Sequence, residues 1–356
     1  MNDFLILIAY YDKGNSFRRR NLKAVIDNYL ANFPECDICV AEQNTSDALD
    51  GYQENSRLKH INVELDEVFH KTILLNHAVR ENPGYKAYVM GDADAYLDMY
   101  AIDYIRKHWN EGVLVYPFSN VLYLSETDTR RVLRGEPLTP GPKNHGVQIG
   151  RQTGLCNIFT QEIFDKVGGF DESFSAWGAE DDAFLVKCNR LVGTVKRNIE
   201  PNGSVLHLYH PVVNTPDYIN SDVYLANRKR CACVRRMSDE DLASYVSGAV
   251  TMDEMVKKYD SLGRLQVKLN WKCTNAAYLT IDTTIYDLDY STEMSFSKII
   301  AEVKKEDGPE YAVHFIDSIL KPIPDLSEEQ LKELDDNREE LCNIVRTLAQ
   351  NSSGQN

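Results

Sequence analysis

Phe4-Leu-Ile-Leu-Ile-Ala9 is an unbroken apolar run near the start of the chain, and it constrains the fold more than any other stretch. A strand with one wet face alternates apolar and polar residues; a continuous run belongs to a strand covered on both faces. Residues Phe17 to Phe33 follow with apolar positions at Leu22, Val25, Ile26, Tyr29 and Leu30, which is helical spacing. Asp37-Ile-Cys-Val-Ala-Glu42 then reads as a second strand. Strand, helix, strand at this spacing is a βαβ unit, so a parallel sheet is expected at the N-terminus.

The alternation continues. The pattern predicts a helix over Phe69–Glu81 and a strand over Tyr85–Met90 that runs into Gly91-Asp-Ala-Asp-Ala95. A helix over Ala101–Trp109 and a strand over Val113–Pro117 follow. Ser125–Thr153 shows little periodicity and reads as one long loop, a length that commonly marks a functional segment. A helix over Thr160–Val167 stops at Gly168-Gly169, another spans Glu180–Leu191, and a short strand over Val205–Tyr209 ends before Pro211. Past Thr215 the character becomes helical, over Asp217–Arg236, Asp239–Tyr245 and Met252–Tyr259. Lys268–Asp289 is rich in Thr, Tyr and Ile and suits strands, and Ser327-Glu-Glu-Gln330 has capping-box spacing before a helix reaching Ala349. The expected organisation is an α/β domain over 1–214 and a mainly helical accessory region over 215–356.

A net charge of −15 over 356 residues argues against a broad basic track for nucleic acid, although Arg18-Arg19-Arg20 and Arg228-Lys229-Arg230 are local basic patches. No apolar run approaches the roughly 20 residues that cross a bilayer, so no transmembrane segment is expected. The eight cysteines are scattered without zinc-finger spacing, which suits free buried thiols in a reducing cytoplasm.

Three clusters carry chemistry. Asp92-Ala93-Asp94 puts two carboxylates on one face of an extended chain at the carboxyl end of a strand, where open α/β sheets bind ligands. Such oxygens suit Mn²⁺ or Mg²⁺, which in turn bridges nucleotide phosphates; the bland alternative is a solvated turn. Nearby Asp98 reads as surface. In Trp177-Gly-Ala-Glu180-Asp181-Asp182, three acids open a helix after an aromatic residue and a glycine. They suit either the positive helix end or a carboxylate that accepts a proton from an attacking hydroxyl. His207-Leu-Tyr-His210 follows a strand, and residues at i and i+3 of a regular strand face opposite ways. Both can bind one metal only if the strand breaks between them, which Pro211 favours.

In this order the clusters resemble the β-1,4-galactosyltransferase family, and more loosely the N-acetylgalactosaminyltransferase domains of chondroitin-synthesising enzymes. The resemblance runs from Phe4 to Pro211 through Ile8-Ala-Tyr-Tyr-Asp12, Glu42-Gln43, Phe69-His-Lys-Thr-Ile-Leu-Leu-Asn76, Asp92-Ala-Asp94, Gly154, Gly168-Gly169-Phe170, Trp177-Gly-Ala-Glu-Asp-Asp182 and His207-x-x-His210. It implies a GT-A fold, a Rossmann-like, mostly parallel sheet flanked by helices. It further implies an inverting, metal-dependent glycosyltransferase that uses a UDP-sugar donor with Mn²⁺ or Mg²⁺. Asp94 and His210 match the family's metal ligands, and His207 falls where the family has a second ligand, often methionine. Asp181 matches the general base and Glu180 a neighbouring sugar contact. Asp92 falls near the ribose or a metal-bound water, Lys71 where the family has an arginine reaching the nucleotide phosphate, and Tyr10, Tyr11 and Asp12 where uracil and ribose are held. Trp177 would lie near the sugar-binding face.

The chain departs from the family in two places. Pro-Phe-Arg-x-Arg is replaced by Ala9-Tyr-Tyr-Asp-Lys13, followed by Arg18-Arg19-Arg20, and the second glycine of Trp-Gly-Gly is Ala179. The loop over Ser125–Thr153 is expected to close over the donor, with His145 and Arg151 as candidate phosphate contacts. The expected acceptor is a hydroxyl on a glycan, in a cytoplasmic enzyme of microbial or viral origin. A macromolecular acceptor, either a modified DNA base or a protein, and a non-catalytic module that only binds the nucleotide-sugar remain as other readings.

Overall fold

A computed structural model describes residues 3–259 apart from 46, 53–54, 137–144, 150–152, 199–202 and 212–220. The chain divides into two units, Met1–Val223 and Tyr224–Asn356.

The first unit opens with β1 (Phe4–Tyr10), α1 (Ser16–Asn32) and β2 (Asp37–Gln43), the expected βαβ unit, with β1 and β2 parallel from Leu5↔Asp37 to Tyr10↔Glu42. It continues with β3 (Leu58–Val63), α2 (Lys71–Arg80), β4 (Ala87–Gly91), β5 (Ala95–Leu97), α3 (Met99–His108), β6 (Val115–Tyr116) and β7 (Asn120–Leu124). Then come α4 (Glu126–Leu133), β8 (His145–Ile149), β9 (Cys156–Thr160), α5 (Gln161–Lys166), α6 (Glu180–Leu191), β10 (Lys196–Arg197) and β11 (Ser204–His207).

A seven-stranded sheet has the order β10-β6-β9-β4-β1-β2-β3. β1 pairs in parallel with both β2 and β4, β2 with β3, and β10 with β6; β9 runs antiparallel to β4 and β6. The fold class is therefore the one expected, α/β with a mostly parallel sheet. All seven residues of β1 are buried, so both faces of the sheet are covered there. The chain moves outward from β1 to β3 and returns to the other side of β1 as β4. That reversal is the switch point at which open α/β sheets form a crevice at their carboxyl ends.

Several elements differ from the sequence reading. Ser125–Thr153 is not one loop. Ser125 caps α4 through its side chain, accepting from Asp128 N, and His145–Ile149 is a strand paired antiparallel with β7. The arginine-rich surface of α4 hid its helical period. The strand expected to reach Tyr209 stops at His207. A second, four-stranded sheet, β5-β11-β7-β8, was not anticipated, because its strands are only three to five residues long. Asp98 is no mere surface residue: it caps α3 at Ala101 N (2.8 Å) and accepts from Ser204 N (2.7 Å), fastening α3 to β11.

In the second unit α7 (Asp222–Arg236), which begins at the boundary, is followed by α8 (Asp239–Val246) and a helical segment over 252–259. Tyr259 holds these together: its hydroxyl accepts from Ser238 N and donates to Asp241, while its carbonyl accepts from Arg236. The strands expected over Lys268–Asp289 and the helix from Ser327 to Ala349 lie outside the described residues, as do Arg151 and the side chain of His145. Cys36, Cys39, Cys156, Cys188, Cys231 and Cys233 are free and buried, as expected.

Candidate active site

β4 ends at Gly91 against the hydroxyl of Tyr29. A β-carbon on Gly91 would stand 2.3 Å from that oxygen, so only glycine fits. The next residues form a tight turn into the second sheet. Asp92 N donates to Leu155 O (2.9 Å), Leu155 N donates to Asp92 Oδ2 (3.3 Å), and Ala95 N donates to Asp92 O (3.0 Å). The two aspartates thus leave the large sheet on a backbone tied down at both ends.

The second sheet brings the histidines to them. His207 pairs with Ala95 on one side and Tyr123 on the other, and the Tyr123 ring lies over its imidazole (5.0 Å). The strand then breaks, which meets the condition set by the i, i+3 spacing. Leu208 N donates to Asp94 O (2.9 Å), Tyr209 N to Thr129 Oγ1 (2.8 Å), and Tyr209 O accepts from Arg20 (3.0 Å) and Asn21 (3.1 Å) of α1. These bonds turn His210 back, so that its Nε2 lies 3.1 Å from Asp94 Oδ2 and that of His207 4.0 Å away.

One ligand atom from each of Asp94, His207 and His210 lies within 4.8 Å of the others. Two ligands each about 2.1 Å from one ion and at right angles stand about 3.0 Å apart, so the spacing fits a shared divalent cation. One carboxylate oxygen with two imidazoles is a mixed oxygen and nitrogen donor set that a divalent first-row ion can share. His210 Nδ1 faces Pro211 O (3.2 Å), an orienting contact that leaves Nε2 for a ligand role. Burial alone would raise the Asp94 carboxyl, but the two histidines outweigh it and hold it at about 2.

A second cluster forms around Lys71, the first residue of α2. Its ammonium lies 2.9 Å from Asp92 Oδ1, 2.9 Å from Asp181 Oδ2 and 3.5 Å from Glu180 Oε1. Three carboxylates hold this buried lysine charged against the penalty of burial. Burial, with Glu180 and Asp92 nearby, pushes the Asp181 carboxyl well above the usual carboxylate range despite Lys71. Asp181 Oδ1 is buried and has no hydrogen-bond partner among the described residues. Gly154 leaves room for this carboxylate, since a β-carbon there would stand 2.7 Å from Oδ2. The acids that open α6 therefore do more than favour its positive end.

The approach to α6 is strained: Ala176, Gly178 and Ala179 all have positive φ, and Ala179 adopts a left-handed conformation (φ 67°) as the helix N-cap. Glu180 Oε2 accepts from Gly178 N (3.1 Å) and Asp182 Oδ1 from Thr153 Oγ1 (2.7 Å). Trp177, three residues before the first of the acids, is 58% exposed.

The end of β1 is arranged differently. Tyr10 Oη donates to Asp12 Oδ2 (2.9 Å), Gly14 N to Asp12 Oδ1 (2.6 Å), and Arg19 binds the same carboxylate (3.1 Å). Asp12 is thus saturated by its own turn. Tyr11 stacks on Phe69 and donates to Glu67 (2.8 Å). The structure therefore gathers Asp94, His207 and His210 in one cluster and Lys71, Asp92, Glu180 and Asp181 in another, and engages Tyr10, Tyr11 and Asp12 in separate local contacts. Sequence reasoning missed Arg20, Asn21 and Thr129, which anchor the histidine segment. Asn21, a polar residue one position before Leu22 on the buried side of α1, was the one visible signal.

Residues 147–211 match the family model described as the N-terminal domain of galactosyltransferase. The chain carries a galactosyltransferase-family segment. It runs from β8 through Trp177–Asp182 to His210, and over it the resemblance read from the sequence, with its enzyme class of glycosyltransferase, is borne out. No curated protein matches the chain. Among solved structures, the catalytic domain of Drosophila β1,4-galactosyltransferase 7 in complex with xylobiose is 15% identical, with 62% of this chain and 80% of that chain covered and a TM-score of 0.38. TarS 1–349 of S. aureus with UDP-GlcNAc is 11% identical over 99% and 91% of the chains, with a TM-score of 0.45. The mannosyltransferase PcManGT of Pyrobaculum calidifontis with GDP-Man and Mn²⁺ is 15% identical over 97% and 86%, with a TM-score of 0.40. No helix among the described residues is long and apolar enough to cross a membrane.

Proposed function

We propose that this chain is an inverting, metal-dependent glycosyltransferase of the GT-A type, moving a hexose or N-acetylhexosamine from a UDP-sugar to a hydroxyl on a glycan. One observation carries the reading. A three-residue cation cluster and a buried carboxylate with an unpartnered oxygen stand on either side of the turn that follows β4. A transfer of this kind needs one centre for the departing diphosphate and one for the incoming hydroxyl.

Asp94, His207 and His210 would hold Mn²⁺ or Mg²⁺, which when bound supplies Lewis-acid stabilisation of the diphosphate. Asp181 accepts the acceptor's proton at Oδ1 while Lys71 holds Oδ2 in place (2.9 Å), so one oxygen is fixed and the other is left without a hydrogen-bond partner. Burial raises the proton affinity of Asp181 above that of an ordinary carboxylate, which makes it a stronger base. Glu180, tied to Gly178 N, fixes the start of α6 and contacts a sugar hydroxyl. Trp177 offers the apolar face of its ring to a sugar. Asp92, braced by Leu155 N, holds the Lys71 ammonium in the cluster with Glu180 and Asp181. Tyr10, Tyr11 and Asp12 stand at the carboxyl end of β1, the position that the family resemblance gives to uridine.

The test is release of nucleoside diphosphate from a panel of UDP-sugars with Mn²⁺, Mg²⁺ or EDTA, without acceptor. Slow release that needs the metal and is abolished in Asp94→Ala supports the reading. Absence of release and of nucleotide binding with every donor and metal sinks it.

A further inference from the structure

The first turn of α1 carries three consecutive arginines, and two of them are engaged inside the protein. Arg19 pairs with Asp12 (3.1 Å) and Asp47 (2.7 Å). Arg20 donates to Asn21 Oδ1 (2.9 Å) and Tyr209 O (3.0 Å) and lies over the Phe17 ring. Arg18 is half-buried, and its guanidinium has no hydrogen-bond or ion-pair partner among the described residues, whereas its backbone N–H donates to Asn15 Oδ1. A guanidinium has five donors and does not give up its charge, so leaving one half-buried without an anion is unfavourable unless an anion arrives.

The place of Arg18 says which anion. The turn that carries it is packed on the segment between His207 and His210: Asn21 binds Leu208 O (3.3 Å) and Tyr209 O (3.1 Å), and Phe17 meets the Tyr209 ring edge-on (5.8 Å). The charge of Arg18 is felt at both Asp94 and His210. Lys71, to which the family resemblance assigns the nucleotide phosphate, is already enclosed by Asp92, Glu180 and Asp181. An incoming anion there meets an excess of negative charge.

We propose that Arg18 is the side chain that binds the diphosphate of a nucleoside-diphosphate donor at the Asp94–His207–His210 centre, in place of Lys71. This rests on the proposed function. A divalent ion on one carboxylate leaves one net positive charge, and Arg18 adds a second. Two positive charges match a diphosphate far better than a lone metal centre does. A guanidinium also presents paired donors to phosphate oxygens, which an ammonium does not.

Full-length wild type, Arg18→Ala and Arg18→Lys are compared in three titrations: Mn²⁺ alone, followed by electron paramagnetic resonance, and then inorganic pyrophosphate and UDP in the presence of Mn²⁺, followed by calorimetry. Loss of a charge-assisted contact predicts about 10- to 100-fold weaker pyrophosphate and UDP binding in Arg18→Ala. Mn²⁺ alone binds Arg18→Ala at least as tightly as wild type, because a repelling cation has gone, and Arg18→Lys recovers part of the pyrophosphate affinity. Pyrophosphate affinity in Arg18→Ala within about twofold of wild type overturns the assignment. So does a parallel loss of Mn²⁺ affinity, which marks a structural role. Wild type that binds Mn²⁺ but neither pyrophosphate nor UDP overturns the proposed function itself, before any variant is measured.

Discussion

Asp181 is held by one oxygen and unpartnered at the other, and its neutralisation is the most direct test at the scale of single residues. Asp181→Asn keeps the shape and removes the proton acceptor, so turnover is expected to fall by about 10²–10⁴, while UDP affinity with Mn²⁺ changes little. The carboxyl is raised by burial, so the wild-type rate should fall as pH drops through a range above that of ordinary carboxylates. A kcat profile that stays flat down to about pH 4, where free carboxyls titrate, contradicts the assignment. Ala179 offers a test of stability at the same scale. It holds a left-handed conformation (φ 67°) that costs an L-residue about 1–2 kcal/mol, less what glycine gains in the unfolded chain. Ala179→Gly is therefore expected to stabilise the protein by about 0.5–1 kcal/mol, read as a rise in urea midpoint at constant slope. A fall in midpoint would mean that the strain is absent.

At the scale of elements, the meeting of α1 with the segment after β11 places His210. Asn21 is fully buried and makes two bonds to carbonyls of that segment, so Asn21→Ala leaves the carbonyls of Leu208 and Tyr209 short of a donor at a cost of about 1–3 kcal/mol. The sharper expectation is weaker Mn²⁺ binding, because His210 loses part of its support; unchanged metal affinity would show that β11 alone positions it. The same elements show what a sequence makes legible. β1, α1, β2 and α6 were readable because each carries its own signal: an unbroken apolar run, a helical period, or acids opening a helix. β5, β7 and β8 carry almost none. They are three to five residues long, and their pairing depends on partners up to about a hundred residues away, such as His207 for Ala95. Thus His207 and His210 were visible as a pair, but what bends the chain between them was not, since Leu208 bonds to Asp94 and Tyr209 to Thr129. The Lys71 cluster was hidden for a related reason. The sequence shows a lysine at the start of a helix, and only the fold sets Asp92 and Asp181 against it.

For the whole molecule, the buried carboxylates pull stability in opposite directions with pH. Asp12 and Glu42 lie below the usual range although burial opposes this. Gly14 N, Tyr10 and Arg19 bind the first, and His60, Thr45 and Ala48 N the second. A carboxyl whose folded pKa is depressed contributes stability above its unfolded value, about 4, and that contribution is lost as pH falls through the lower folded value. Asp181 and Asp98 behave inversely. Burial raises both, so the folded protein binds their protons more readily than the unfolded chain does, and stability rises as pH falls through their raised values. The net charge of −15 acts in the same sense, since protonation relieves self-repulsion. The free energy of unfolding should therefore rise modestly from neutral pH towards the mildly acidic range, then fall steeply once the pH passes below about 4. Urea midpoints measured from pH 3 to 8 check this, and Asp181→Asn should flatten the first limb without moving the second. A wild-type curve that falls continuously from pH 7 downward would mean that buried Asp181 is ionised at little cost. Asp181 would then hold its proton no more tightly than an exposed carboxylate, and the base assigned to the transfer would lose its physical ground.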